Sequence, residues 1–144
     1  MRRALAEAER ALATGDVPVG AVLLDAVGAV IATGRNEREK TSDPTAHAEV
    51  VAIRAATAAR GEWRLDDTTL VVTLEPCVLC AGAILAARIP RVVFGAWDEK
   101  AGAAGSRYDL LRDRRLTHRV EVVPEVLADE GAALLREFFR GRAL

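Results

Sequence analysis

The sequence predicts an α/β fold: a three-layer α/β/α sandwich around a mixed five-stranded sheet, in a single domain spanning residues 1–144. Helix-favouring stretches rich in alanine and leucine alternate with short valine- and leucine-rich runs, the pattern of layered α/β chains rather than of a bundle. With 144 residues of which 51% are hydrophobic, the chain suffices for one compact core and is too short for two ordinary domains.

Leu5, Ala8 and Leu12 form an apolar stripe at helical spacing that stops at Gly15, which defines a first helix. Ala21–Leu24 and Ala29–Ala32 flank Asp25-Ala26-Val27-Gly28 and read as a hairpin. Asp43-Pro44-Thr45 carries helix-start chemistry, because Asp or Thr can cap free amides and proline is tolerated in a first turn. The spacing therefore predicts a helix from there to about Ala59, with His47 and Glu49 in its opening turn. Leu70–Leu74 has the composition of a buried strand, and Glu75-Pro76 is expected to start a helix through about Ala87 with Cys77 and Cys80 on one face of its first turn. Arg91–Gly95 and Val120–Val123 are two further strands, and a closing helix carries Leu127, Leu134, Leu135, Phe138 and Phe139 on one side. Hairpin strands should pair antiparallel and strands joined through helices should run parallel, hence a mixed sheet.

Composition narrows the functional classes. Charges interrupt the N-terminal segment where a signal peptide needs its apolar stretch, and no run of ~18 uncharged apolar residues occurs, so a cytoplasmic protein with no membrane partner is expected. Two cysteines set three apart do not make a disulfide framework, which leaves metal binding or redox chemistry. A net charge of −1 gives no basic nucleic-acid signal overall, although five arginines between Arg107 and Arg119, followed by Arg136, Arg140 and Arg142, gather positive charge toward the C-terminal end.

The chemistry-bearing residues fall in two segments, His47-Ala48-Glu49 and Pro76-Cys77-Val78-Leu79-Cys80. One imidazole and two thiolates fill three corners of a tetrahedral zinc and leave the fourth to a water that the metal can acidify. Residues three apart on a helix are neighbours, so Cys77 and Cys80 can chelate one ion, and a helix N-terminus favours thiolate over thiol. If the two helix starts face each other, His47 reaches the metal and the longer Glu49 reaches the water. Glu49 is thus read as a proton shuttle and not as a ligand. Such a set suits hydrolytic removal of an amino group from a heterocyclic ring. The cysteine pair alone also fits a thioredoxin-like redox site or structural zinc, and His-x-Glu alone fits two surface residues. His118 is expected to be structural or solvent-exposed.

With its flanking segments the chain resembles the cytidine/deoxycytidylate deaminase superfamily, and within it the bacterial deaminases that act on tRNA adenosines. The resemblance runs through Val17-Pro18-Val19-Gly20-Ala21-Val22, Asn36, Asp43–Glu49, Thr73–Ala83, Arg91–Ala96 and Gly102-Ala103-Ala104-Gly105-Ser106. It implies a zinc-dependent hydrolase, with one zinc per subunit, that converts adenosine to inosine at the wobble position of a tRNA anticodon, with the base flipped into the zinc pocket. It further implies His47, Cys77 and Cys80 as ligands, Glu49 as the catalytic shuttle, Asn36, Ala48 and Asp98 as substrate contacts, and a homodimer that engages the anticodon stem-loop. Trp97 reads either as a stacking surface for an unpaired base or as a packing residue. A guanine or cytosine deaminase acting on free bases or nucleosides is the alternative enzyme, and a non-catalytic zinc-stabilised RNA-binding module the alternative outside catalysis.

Overall fold

The structure, a computed structural model, describes residues 1–142. The elements are α1 (Arg2–Ala11), β1 (Gly20–Leu24), β2 (Val30–Arg35), α2 (Arg38–Thr41), α3 (Ala48–Arg60), β3 (Thr69–Leu74), α4 (Val78–Ala86), β4 (Arg91–Ala96), β5 (Glu121–Val123) and α5 (Ala128–Phe139). The strands form one sheet in the order β2-β1-β3-β4-β5. β1 is antiparallel to both neighbours, and β3, β4 and β5 run parallel, so the sheet is mixed as the sequence implied.

Alternation along the strands sets the layers. Ala21, Leu23, Leu70, Val72, Val92 and Phe94 point to one face and pack with Ala52 and Ala56 of α3 and Ala81 and Ile84 of α4. Val22 and Val71 point to the opposite face and pack with Ala4 of α1. A central strand in such a sandwich is buried on both sides, which is why Leu70–Val72 reads as a continuous apolar run. Among the described residues no helix is long and apolar enough to cross a membrane.

The element boundaries differ from the sequence expectation in instructive places. α3 begins at Ala48 with His47 extended before it, and α4 begins at Val78 with Cys77 extended before it. Asp43 instead closes a local turn, its Oδ1 accepting from the amide and hydroxyl of Thr45 at 2.9 and 2.8 Å. Pro76 lies in an extended segment whose carbonyl accepts the Ala103 amide at 2.8 Å. In the hairpin Asp25 Oδ1 accepts the amides of Val27 and Ala29, and β2 continues to Arg35, beyond the expected end at Ala32. The expected inner stripe of α5 is only partly realised, since Gly131 is its buried residue and Phe139 is exposed. The short α2 was not expected. Its amides at Glu39 and Lys40 are held by Asp16, a partner more than twenty positions away that no local pattern reveals.

Direction of the chain determines where a site can form. β2 and β3 are both antiparallel to β1 and so run the same way, and β4 joins them. Their carboxyl ends, the start of β1 and the start of α3 therefore meet at one edge, the place where open α/β sheets leave a crevice.

Candidate active site

α3 docks closely on the sheet because β2 presents Gly34 to it. A Cβ at Gly34 would overlap the Ala48 carbonyl and lie 2.6 Å from the Ala52 nitrogen. This approach brings the start of α3 to the carboxyl end of β3, where the chain leaves the sheet through Glu75 and Pro76 to Cys77. His47 and Cys77 are the residues immediately before their helices, and neither side chain caps its own helix. They turn toward one another instead.

His47 Nδ1 lies 3.5 Å from Cys77 Sγ and 3.4 Å from Cys80 Sγ. Zinc with bonds of about 2.3 Å to sulfur and 2.0 Å to nitrogen, at tetrahedral angles, places sulfur and nitrogen about 3.5 Å apart. The three donors fit such an ion without rearrangement, and all lie within 4.8 Å of one another. Without metal, Cys80 gives its thiol proton to a hydrogen bond with Cys77, which holds Cys77 down at about 4, with His47 contributing. The same bond, together with burial, pushes the Cys80 thiol far above the ordinary range. The hydrogen bond to Cys77 raises His47. A divalent ion held by His47, Cys77 and Cys80 would take the place of that shared proton.

Glu49, one turn residue on from Ala48, is 4% exposed, and burial pushes its carboxyl up to about 7 against the lowering effect of its own backbone amide. It lines a cavity of about 180 Å³ together with Asn36, Arg38, His47, Ala48, Cys77, Asp98 and Ala101, with Val17, Val19 and Leu74 supplying apolar wall. Cys80 lies beneath this surface, fully buried. The structure thus brings the sequence-predicted residues Asn36, His47, Ala48, Glu49, Cys77 and Asp98 to one pocket, with Cys80 buried behind His47 and Cys77.

Asn36 is oriented by its neighbours. Its Nδ2 donates to the Val17 carbonyl at 3.2 Å and its Oδ1 accepts the Arg38 amide at 3.1 Å. An amide group has two donors and two lone pairs, so one of each is left for the pocket. Ala48 opens α3, where the amide has no intrahelical partner. Asp98 Oδ1 accepts the amides of Lys100 and Ala101 at 3.1 and 3.2 Å, which fixes the side chain at the rim. His118 is half-buried and bonds the Ile89 carbonyl through Nε2 at 2.8 Å, a structural role. Trp97 packs edge-on to Phe94 at 4.9 Å and donates to Glu125 at 2.8 Å, while the rest of its ring stays exposed.

Two charged residues lining the pocket, Arg38 and Glu75, escaped the sequence reading. Arg38 enters through α2, which long-range bonds hold in place. Glu75 was placed in a helix start, and the available signal was a carboxylate wedged between an apolar strand and a Pro-Cys ligand segment, where a surface acid is out of place.

Residues 1–96 match the family profile described as the cytidine and deoxycytidylate deaminase zinc-binding region. A tRNA-specific adenosine deaminase of Haemophilus influenzae is 49% identical over 142 residues, 99% of this chain and 82% of that protein. The enzyme of the same name from Streptococcus pyogenes is 48% identical over 140 residues, 97% of this chain and 87% of that protein. A solved structure from work on A-to-I editing by tRNA:A34 deaminases at the wobble position of transfer RNA superposes with a TM-score of 0.88 at 43% identity, covering 94% of this chain and 97% of that one.

Proposed function

The chain belongs to the cytidine and deoxycytidylate deaminase zinc-binding family, and on that premise we propose that it deaminates adenosine at the wobble position of a tRNA anticodon, yielding inosine and ammonia. The observation that carries the chemistry is the meeting of His47, Cys77 and Cys80 beside buried Glu49. Similarity over nearly the whole chain to tRNA-specific adenosine deaminases supports the choice of substrate.

His47, Cys77 and Cys80 hold one zinc per subunit. The ion supplies Lewis acidity, which turns water into a nucleophile near neutral pH. Glu49 takes a proton from the water that adds to the ring carbon bearing the amino group. It returns that proton to the exocyclic nitrogen, the carbon–nitrogen bond breaks and ammonia leaves. Burial raises the Glu49 carboxyl, the direction that suits a group which must both accept and give a proton near neutrality, and a zinc ion beside it would draw it part of the way back. Asn36 uses its remaining donor and lone pair on the nucleoside, the Ala48 amide meets the base, and Asp98 borders the entry. Apolar Val17, Val19 and Leu74 hold the flipped base away from water.

The enzyme acts in the cytoplasm as one domain over residues 1–144 and as a homodimer. An apolar groove between α3 and α4, lined by Val50, Ile53, Trp63, Leu79 and Ala83, supports the second copy, since exposed apolar surface of this kind marks interaction sites.

The deciding experiment offers an anticodon stem-loop with adenosine at the wobble position, in parallel with free adenosine, guanine and cytosine, and measures ammonia and inosine. Inosine from the stem-loop alone, lost in Glu49→Gln with zinc retained, is the expected result. Ammonia from a free base and none from the stem-loop rejects the tRNA reading.

A further inference from the structure

Glu75 is a buried carboxylate that the deamination chemistry leaves without a task. It is 2% exposed at the end of β3, and none of the ion pairs among the described residues includes it. Burying an ionised carboxylate is costly unless charge-assisted hydrogen bonds replace its water. Backbone amides of a distant segment supply them. Oε1 accepts from Asp98 at 2.9 Å, and Oε2 accepts from Ala104 at 3.0 Å and from Ser106 at 3.1 Å.

That segment is also fastened to the ligand strand. The Ala103 amide donates to the Pro76 carbonyl, and Gly102 bridges to Cys77. Gly102 is needed because a Cβ there would overlap Glu75 Oε1 and Cδ. The clamped residues include the pocket wall at Asp98 and Ala101 and lead into Arg107 and Tyr108. Tyr108 is fixed by two backbone bonds, its amide to Gly102 and its carbonyl to the Gly105 amide, while its side chain stays half exposed. An exposed aromatic and an arginine on a rigid loop beside the pocket suit an unpaired nucleotide and its phosphate.

We infer that Glu75 is a positioning residue for RNA capture: through the amides of Asp98, Ala104 and Ser106 it sets the pocket wall and aims Arg107 and Tyr108 at the strand flanking the target nucleotide. This rests on the tRNA reading. Three of the roughly four lone-pair sites of the Glu75 carboxylate are taken by amides, which ties it to the loop.

The test compares the parent enzyme with Glu75→Gln, Gly102→Ala and the double variant. Glutamine keeps the shape but offers one oxygen to three donors and turns an NH2 toward one of them. The expected result is a KM for the stem-loop raised on the order of tenfold, the fold-change of one charged hydrogen bond lost. kcat should stay within about twofold, the mark of lost binding rather than lost transition-state contact. Zinc content should be unchanged, and the double variant no worse than either single, because both changes break one clamp. Amide hydrogen exchange should accelerate at Asp98, Ala104 and Ser106 and not at β1. A fall in kcat at constant KM, additive effects, or loss of zinc and fold in both single variants overturns the inference. If the parent enzyme leaves the stem-loop untouched the tRNA reading fails, whereas unchanged exchange at the three amides sinks the clamp alone.

Discussion

Substituting alanine for Gly34 tests whether the site depends on how closely α3 approaches the sheet. Cβ atoms essentially never sit within 3.0 Å of a heavy atom, yet one built on Gly34 lies 2.6 Å from the Ala52 nitrogen and nearer still to the Ala48 carbonyl, so α3 must retreat by more than about 0.4 Å. Both obstacles, the Ala48 carbonyl and the Ala52 nitrogen, are backbone and cannot rotate aside. A retreat of that size is about twice the ~0.2 Å tolerance of metal–ligand distances, and His47 and Glu49 travel with the helix. Overpacking of this kind costs about 1–3 kcal/mol, or roughly 3–10 °C in Tm for a domain of this size. Zinc affinity should fall by about tenfold as His47 is drawn from the sulfurs, within the range seen when a ligand's support is lost. Thermal unfolding with zinc present, and titration against a chromophoric chelator, read the two effects separately. A Gly34→Ala protein with parental Tm and zinc affinity would show that the helix–sheet contact does not position His47.

Three shorter predictions follow from the same geometry. In metal-stripped protein an alkylating agent should modify Cys77 and spare the fully buried Cys80, and zinc should protect both, as peptide mass mapping would reveal. Because Cys77 is held at about 4, its thiolate persists above that pH, so the alkylation rate should be nearly flat from about pH 5 to 8, where an ordinary thiol would climb steeply. Asp16→Ala removes the acceptor for the Glu39 and Lys40 amides and the Thr14 hydroxyl, and should cost about 1–3 kcal/mol in denaturant unfolding while weakening stem-loop binding through Arg38. Parental stability would refute the role given to Asp16. Leu79→Asp, in the groove between α3 and α4, should shift sedimentation from dimer to monomer, and an unchanged profile would place the interface elsewhere.

The layered fold was legible because its period-2 and helical patterns are local. Leu70–Leu74 and the stripe of α1 are read without tertiary information, and so is the mixed sheet once a hairpin and helix crossovers are recognised. The metal donors were legible because their spacing is chemical. What the sequence hid depends on partners far along the chain. Asp16 holds α2 from more than twenty positions away, and Glu75 holds amides as far off as Ser106. Both helix starts were anticipated early because proline and capping residues, Asp43-Pro44-Thr45 and Glu75-Pro76, mimic helix initiation. The long-range hydrogen bond from the Ala103 amide to the Pro76 carbonyl, with Cys77 paired opposite Gly102, keeps the second of these extended.

The delayed helix starts carry an energetic consequence that can be measured. A residue preceding a helix ordinarily stabilises it by about 0.5–2 kcal/mol when its side chain is Ser, Thr, Asp or Asn. His47 and Cys77 occupy such positions without making the cap bond, so each helix forgoes that stabilisation while its ligand turns to the metal. Cys77→Ser measures that stabilisation against the contacts of the thiolate. In metal-free protein the serine hydroxyl can cap α4, but the variant loses the charge-assisted hydrogen bonds that Cys80 and His47 make to the Cys77 thiolate, which outweigh a cap near neutral pH. The metal-free variant should then unfold at a lower denaturant midpoint than the metal-free parent, and the gap should narrow as the pH falls toward 4, where the thiolate is lost. With zinc present the gap should widen, because binding to the native state adds RT ln(1 + [L]/Kd) and the serine variant has lost a thiolate ligand. A metal-free serine variant at or above the parental midpoint at pH 7 would mean that the cap outweighs the thiolate contacts, and that Cys77 serves the metal at the expense of the fold.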